Sequence, residues 1–138
     1  MKVVIDSNRV IAALLKDSTT RELVFSKNFE FVAPSFIRSE IEKYRLDILR
    51  KASLTDDMFG ALLSLLFERI TILAIEDYTS FLKECEKELG DLNDVPYLAA
   101  AKASSAAGIW THDPHFLDQH RVMVFTNIDM LRLIRKRT

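Results

Sequence analysis

Apolar positions along the chain follow two rhythms. Short continuous runs, KVVI (2–5), FEFVA (29–33), RITILAI (69–75), GIWT (108–111) and RVMVF (121–125), have the composition of buried strands. Helical periods lie between them. NRVIAALL (8–15) follows Asp6 and Ser7, either of which suits the role of N-terminal cap. After Pro34, the residues Ile37, Ile41, Tyr44 and Ile48 recur at i, i+4, i+7 and i+11, the apolar face of a single helix. LTDDMFGALLSLLFERI (54–70) opens on a Thr55–Asp56 cap signal. TSFLKECEKEL (79–89), the alanine-rich VPYLAAAKASSAA (95–107) and NIDMLRLIRKR (127–137) complete the set.

Continuous apolar strands alternating with helices predict an α/β fold: a parallel central sheet between two layers of helices, α/β/α. Crossovers in such a fold are right-handed, and sites lie beyond the carboxyl ends of the strands. The alanines from Ala99 to Ala107 predict one helix that approaches the sheet closely. With three glycines, three prolines and no linker or repeat, residues 1–138 are expected to form a single domain.

Composition narrows the class. The chain is 49% hydrophobic and 28% charged, ordinary for a globular protein. No apolar run reaches the ~20 residues of a membrane span, and no signal-peptide pattern is expected at the N-terminus. Cys85 stands alone among polar residues, which excludes an intramolecular disulfide and fits a quiet thiol in a reducing cytoplasm. The net charge of −1 argues for no particular partner, but two basic groups stand out: Lys43, Arg45, Arg50 and Lys51, and then Arg132, Arg135, Lys136 and Arg137. Either is a solvated face or a local seat for a phosphate backbone.

Several chemistries are excluded by what the first strand runs into. VVIDSN (3–8) leads into its helix without glycine, so neither a dinucleotide fingerprint nor a P-loop is present. There is no G-x-S-x-G elbow. His112, His115 and His120 have no cysteine or histidine partners elsewhere and read as surface or turn residues; Trp110 and the phenylalanines read as core. Acids remain. Asp6 ends the first strand, Asp94 stands at the mouth of the alanine helix, and Asp113 follows the GIWT strand. Each also has a structural reading, as cap or turn. Glu40 borders the apolar face of its helix, a costly place for a carboxylate unless it is paired or metal-bound. If these four converge, their repulsion requires protons or cations, and an all-oxygen set selects Mg²⁺ or Mn²⁺. Such a pocket on an α/β sheet points to phosphodiester hydrolysis.

VVIDSN, APSFIRSEI (33–41), GDLNDVPYLAAA (90–101) and GIWTHDPHF (108–116), in that order, resemble the PIN domain family, whose most familiar members are VapC-type toxins. The resemblance implies a metal-dependent endoribonuclease with Asp6, Glu40, Asp94 and Asp113 as catalytic and metal-binding residues. Asp91 matches an additional acid of the metal site, and Asn8 and Thr111 match small polar positions beside the first and last acids. It implies Mg²⁺ or Mn²⁺ as cofactor, RNA, expected single-stranded, as substrate, and an antitoxin as protein partner. A homodimer is compatible with the apolar stripe Leu62, Leu63, Leu65 and Leu66, which core packing explains equally well. With Asp6 as a metal ligand, Ser7 or Asn8 is left to cap the helix. Arg9 departs from the family pattern, where this place is commonly apolar; it is expected to pair with an acid or meet a phosphate.

Two other classes compete. A non-catalytic RNA-binding or assembly module could keep the PIN fold, against which the intact acid set argues. A phosphoaspartyl enzyme with Asp6 as nucleophile would place a second acid where Asn8 stands.

Overall fold

The structure is a computed structural model that describes residues 1–137, with the backbone alone at Arg137. Its centre is a five-stranded, wholly parallel sheet: β1 (Lys2–Ile5), β2 (Glu30–Pro34), β3 (Ile70–Leu73), β4 (Gly108–Trp110) and β5 (Met123–Phe125), in the order β3-β2-β1-β4-β5. Val3, Val4 and Ile5 of the central strand are fully buried, which is why that run is apolar without alternation. Register sets Ile5 opposite Trp110, so residues 6 and 111 emerge side by side.

The helices are α1 (Ser7–Leu14), α2 (Ser18–Val24), α3 (Phe36–Lys43), α4 (Arg45–Ala52), α5 (Asp56–Phe67), α6 (Ile75–Tyr78), α7 (Leu82–Glu88), α8 (Val95–Ser104) and α9 (Asn127–Arg137). Helix α8 lies on β1, β2 and β4, with Ala99, Ala100 and Ala101 buried beneath it, and α6 and α7 pack on its outer side. The small side chains permit this close approach. Thr55 Oγ1 accepts the Met58 N–H at 3.1 Å, the cap read from the sequence.

Helix α2 (Ser18–Val24) has no counterpart in the sequence expectation, and three of the expected elements differ by more than an end residue or two. The helix after Pro34 is two helices, broken at Tyr44 (φ −99°, ψ 8°). The break keeps Ile37, Ile41 and Ile48 buried but turns Tyr44 outward, 42% exposed, because the i, i+7, i+11 register no longer runs through one cylinder. The third strand stops at Leu73, since Glu76 and Asp77 open a helical turn in which Ile75 is exposed. The alanine helix ends at Ser105 in the left-handed region (φ 54°), leaving Ala106 and Ala107 outside it.

Gly108 begins β4 under a tight constraint. A Cβ there would lie 2.4 Å from Phe125 Cε2 and 2.8 Å from the Met123 carbonyl oxygen, so only glycine lets β4 and β5 close.

Candidate metal centre

The sheet order reverses at β1: β2 and β3 lie on one side, β4 and β5 on the other. The carboxyl ends of β1 and β4 therefore open a crevice. Asp6 enters it directly from β1, its amide donating to the Trp110 carbonyl at 3.1 Å.

Thr111 is the fixed point of the crevice. Its hydroxyl donates to Asp6 Oδ2 at 2.7 Å and accepts from Asn8 Nδ2 at 3.2 Å and from the Asp113 N–H at 2.9 Å. One donor and two acceptor positions are all in use. Opposite, α3 delivers Glu40, whose Oε1 accepts from Ser7 Oγ at 3.1 Å and from the buried Tyr97 hydroxyl of α8. Ser7 Oγ also lies 3.4 Å from Asp6 Oδ1. Asp94 stands at the mouth of α8 with Asp91 one turn before it; the Asp94 N–H donates to the Asp91 carbonyl at 3.1 Å.

Asp6, Glu40, Asp91, Asp94 and Asp113, with Asn8, thus line one cavity of about 570 Å³; Thr111 lies buried behind it. Burial and neighbouring charge shape the protonation of Asp6, Asp94 and Glu40. Burial lifts Asp6 to about 6; the Thr111 bond opposes this rise and the Glu40 charge adds to it. Asp94 is raised by burial first, then by the charges of Asp113, Asp91 and Asp6. Glu40 is raised by burial, against the lowering effect of the Tyr97 and Ser7 bonds. Asp94 is 6% exposed, and its Oδ2 has no hydrogen-bond partner. A buried carboxylate oxygen without a donor, among oxygen ligands, fits a hard divalent cation.

The capping expectations are corrected. Asp6 and Asp94 occupy N-cap positions of α1 and α8 but make no side-chain cap bond, and neither Ser7 nor Asn8 substitutes for them. Ser7 is turned to Glu40 and Asn8 to Thr111, so the cavity draws the groups that would otherwise satisfy the helix end. Asp113 does make the expected turn, Oδ1 accepting the His115 N–H at 2.9 Å.

Among the described residues Arg9 makes no salt bridge, although the charges of Asp17 and Asp6 act on it. It is buried, with Nε donating to Asn8 Oδ1 at 3.0 Å and one terminal nitrogen to Asn127 Oδ1 at 3.5 Å. Asn127 in turn accepts from Trp110 Nε1 at 2.8 Å, tying α9 to the back of the crevice.

His112, His115 and His120 are exposed, but His115 comes within reach of Asp91 and Asp94. These three side chains each offer a ligand atom, all within 4.8 Å of one another. Of the first basic group, Arg45 is held by Glu42 and Asp56 and Arg50 by Asp47, while Lys51 lines the cavity. Arg132 and Lys136 line a separate surface groove beside α9, and the Arg137 side chain lies outside the described residues. Cys85 is buried, and burial pushes its thiol up to about 11, consistent with an inert side chain.

Sequence reasoning missed Ser7 and Tyr97 as parts of the site. The available signal was Tyr97 itself, a hydroxyl three residues after Asp94 in an otherwise apolar run.

A parallel α/β sheet with acids gathered at its carboxyl edge defines a class of folds with an acidic crevice. Residues 4–126 match the family model of the PIN domain, and the chain belongs to that family. Among solved structures, a chain of VapBC2 from Rickettsia felis, crystallised bound to a DNA fragment from their promoter, is similar in fold. It superposes with a TM-score of 0.70 at 18% identity, covering 91% of this chain and 98% of that one. No curated protein sequence matches. Among the described residues, no helix is long and apolar enough to cross a membrane.

Proposed function

We propose that the chain is a metal-dependent endoribonuclease that hydrolyses RNA phosphodiester bonds. The observation that carries this reading is the buried Asp94 carboxylate, its Oδ2 unpartnered, in a cavity shared with Asp6, Glu40, Asp91 and Asp113. Asp6 and Asp94 would chiefly hold Mg²⁺ or Mn²⁺, with Asp91 adding negative charge beside them. When bound, such an ion lowers the pKa of a water and offsets the charge that builds on the phosphate oxygens.

The protein's own groups supply the rest. Thr111, through its three bonds, holds Asp6 and the Asp113 backbone in one orientation. Glu40 is gripped by two hydroxyls with its carboxyl raised, which suits it to orient the attacking water and take its proton. Asp113 stands on the other side of Asp6 as a second orienting carboxylate. Water as nucleophile leaves a 5′-phosphate and a 3′-hydroxyl.

An antitoxin partner belongs to this reading. The similar fold in the VapBC2 complex supports a toxin–antitoxin setting; single-stranded RNA as substrate and a cytoplasmic location are further parts of this proposal. The non-catalytic PIN-fold module remains the alternative, and the complete acid set speaks against it.

The test is cleavage of single-stranded RNA in Mg²⁺, Mn²⁺ or EDTA by wild type and Asp94→Asn. Metal-dependent cleavage, 5′-phosphate ends and loss of activity in Asp94→Asn are expected. Cleavage that survives EDTA, or cyclic-phosphate ends, would overturn the mechanism; a protein that binds RNA without cutting it would establish the module instead.

A further inference from the structure

Two carboxylates and one imidazole meet on the flank of the acid cluster. Asp91 and Asp94 come from the turn that leads into α8. His115 comes from the short 3₁₀ segment Pro114–Asp118, which follows β4. Their ligand atoms lie within 4.8 Å of one another. An octahedral ion with bonds of about 2.1 Å sets its ligand atoms about 3–4.2 Å apart, so a small rotation of an exposed side chain closes the difference.

A second observation points to a ligand here. Asp94 is 94% withdrawn from solvent by its 6% exposure, yet Oδ2 has no donor. Thr111 and Ser7 serve Asp6, and Tyr97 serves Glu40, but no hydroxyl serves Asp94. The imidazole is also oriented: its Nδ1 lies 3.2 Å from Asp113 Oδ1, and its backbone N–H donates to the same oxygen. A carboxylate against one ring nitrogen fixes the orientation of the ring, as at many metal-bound histidines. A second cavity of about 520 Å³, lined by Gly90, Asp91, Leu92, His115 and Asp118, opens on this flank; Asp91 lines both cavities, while Asp94 lines the first, so the three side chains stand at the boundary between the two.

We propose that Asp91, Asp94 and His115 form a second divalent-cation position, selective for ions that accept imidazole, Zn²⁺ and Mn²⁺ over Mg²⁺. The inference rests on the metal-centre reading in that Asp94 is shared between the two positions. The selectivity follows from the donors. Mg²⁺ prefers oxygen and keeps its waters, whereas Zn²⁺ binds mixed nitrogen and oxygen sets at close to 2.0–2.2 Å, and affinity rises from Mn²⁺ to Zn²⁺ for such ligands. Asp6, Glu40 and Asp113 hold only oxygen and favour no such discrimination. A single acidic pocket is thereby divided into an oxygen-only side and a side that reads ion softness.

The test uses chelator-stripped full-length protein titrated with Zn²⁺, Mn²⁺ and Mg²⁺ by calorimetry. Wild type is compared with His115→Ala, His115→Asn and Asp6→Asn, and spin-echo spectra are recorded with bound Mn²⁺. His115→Ala keeps the backbone bond to Asp113, and its native side chain is 65% exposed, so the fold is expected to persist. Expected are nitrogen modulation of the Mn²⁺ echo in wild type and its absence in both His115 variants. Zn²⁺ affinity should fall at least about tenfold in those variants, with Mg²⁺ affinity changing less than about twofold. Equal Zn²⁺ affinity in wild type and both variants, or no nitrogen modulation in wild type, would overturn the second position. Asp6→Asn separates the readings: unchanged Mg²⁺ affinity there counts against the proposed catalytic centre and leaves the His115 result to stand or fall by itself.

Discussion

The hydroxyl of Thr111 donates to Asp6 Oδ2 at 2.7 Å across 105 positions of sequence, joining the ends of two neighbouring parallel strands. The same oxygen accepts from Asn8 and from the Asp113 backbone, so one side chain sets the direction of the first acid, its neighbour and the start of the last acid's turn.

Thr111→Val should therefore do more than delete one bond. It leaves the Asn8 amide and the Asp113 N–H without their acceptor beside a buried carboxylate, a loss of about 1–3 kcal/mol. Because the Thr111 bond lowers the Asp6 pKa, its removal should also push that carboxyl further up. Urea unfolding checks the first effect, carboxyl titration by NMR the second; Thr111→Ser should restore both.

Asp6→Asn should stabilise the metal-free protein near pH 7 while weakening its hold on divalent ions. The substitution removes an ionised group that burial and Glu40 disfavour, a gain on the order of 1–2 kcal/mol after losses in hydrogen bonding. Melting of chelated protein should rise by about 3–8 °C. Added Mn²⁺ should raise the melting temperature of wild type more than that of the variant. A variant that melts lower than wild type without metal, or responds equally to Mn²⁺, contradicts Asp6 as a ligand held under repulsion.

The stability of the metal-free protein should fall with rising pH. Asp6 moves from 3.8 to about 6, so between these values the native state holds a proton that the unfolded chain has released. The stabilisation is complete below the unfolded pKa and is lost as pH passes the folded one. The loss from Asp6 alone is on the order of 2–3 kcal/mol between pH 4 and 7. Asp94 and Glu40, both raised, act with the same sign. Denaturant midpoints across this range check the slope, and saturating metal should flatten it.

Gly108→Ala should destabilise the edge of the sheet. The added Cβ meets the Met123 carbonyl at 2.8 Å as well as the Phe125 ring, and a backbone atom cannot swing aside. Overpacking of this kind costs about 1–3 kcal/mol. Equilibrium unfolding measures it, and hydrogen exchange should localise the loss to β4 and β5.

Much of this architecture was legible beforehand because parallel strands buried on both faces advertise themselves as unbroken apolar runs. VVI, FVA and GIW are of that kind, and the acids that follow them stand out by contrast. Tyr44 was misread because periodicity counts positions along one cylinder and carries no mark where two cylinders meet. The side-chain caps of α1 and α8 were misread for a different reason. Short polar residues at helix starts usually serve the helix, and only the tertiary position of Glu40 and Thr111 redirects Ser7 and Asn8. Tyr97 was hidden in the same way, its hydroxyl having no local partner in the sequence. Family resemblance located the acids and Thr111; it said nothing of the Ser7 and Tyr97 hydroxyls that hold Glu40.

The strand order has a consequence in time as well as in space. Asp6 is made long before its partners on the far side of the crevice, Thr111 and Asp113, which follow it by more than a hundred residues, and β4 must insert beside β1 before the three can meet. Contacts so distant in sequence form late in folding. A partly synthesised chain ending before residue 108 carries Asp6, Glu40, Asp91 and Asp94 but lacks the strand that aligns them. The cutting site, under the proposed activity, therefore comes into being only after β4 has been made and has joined the sheet.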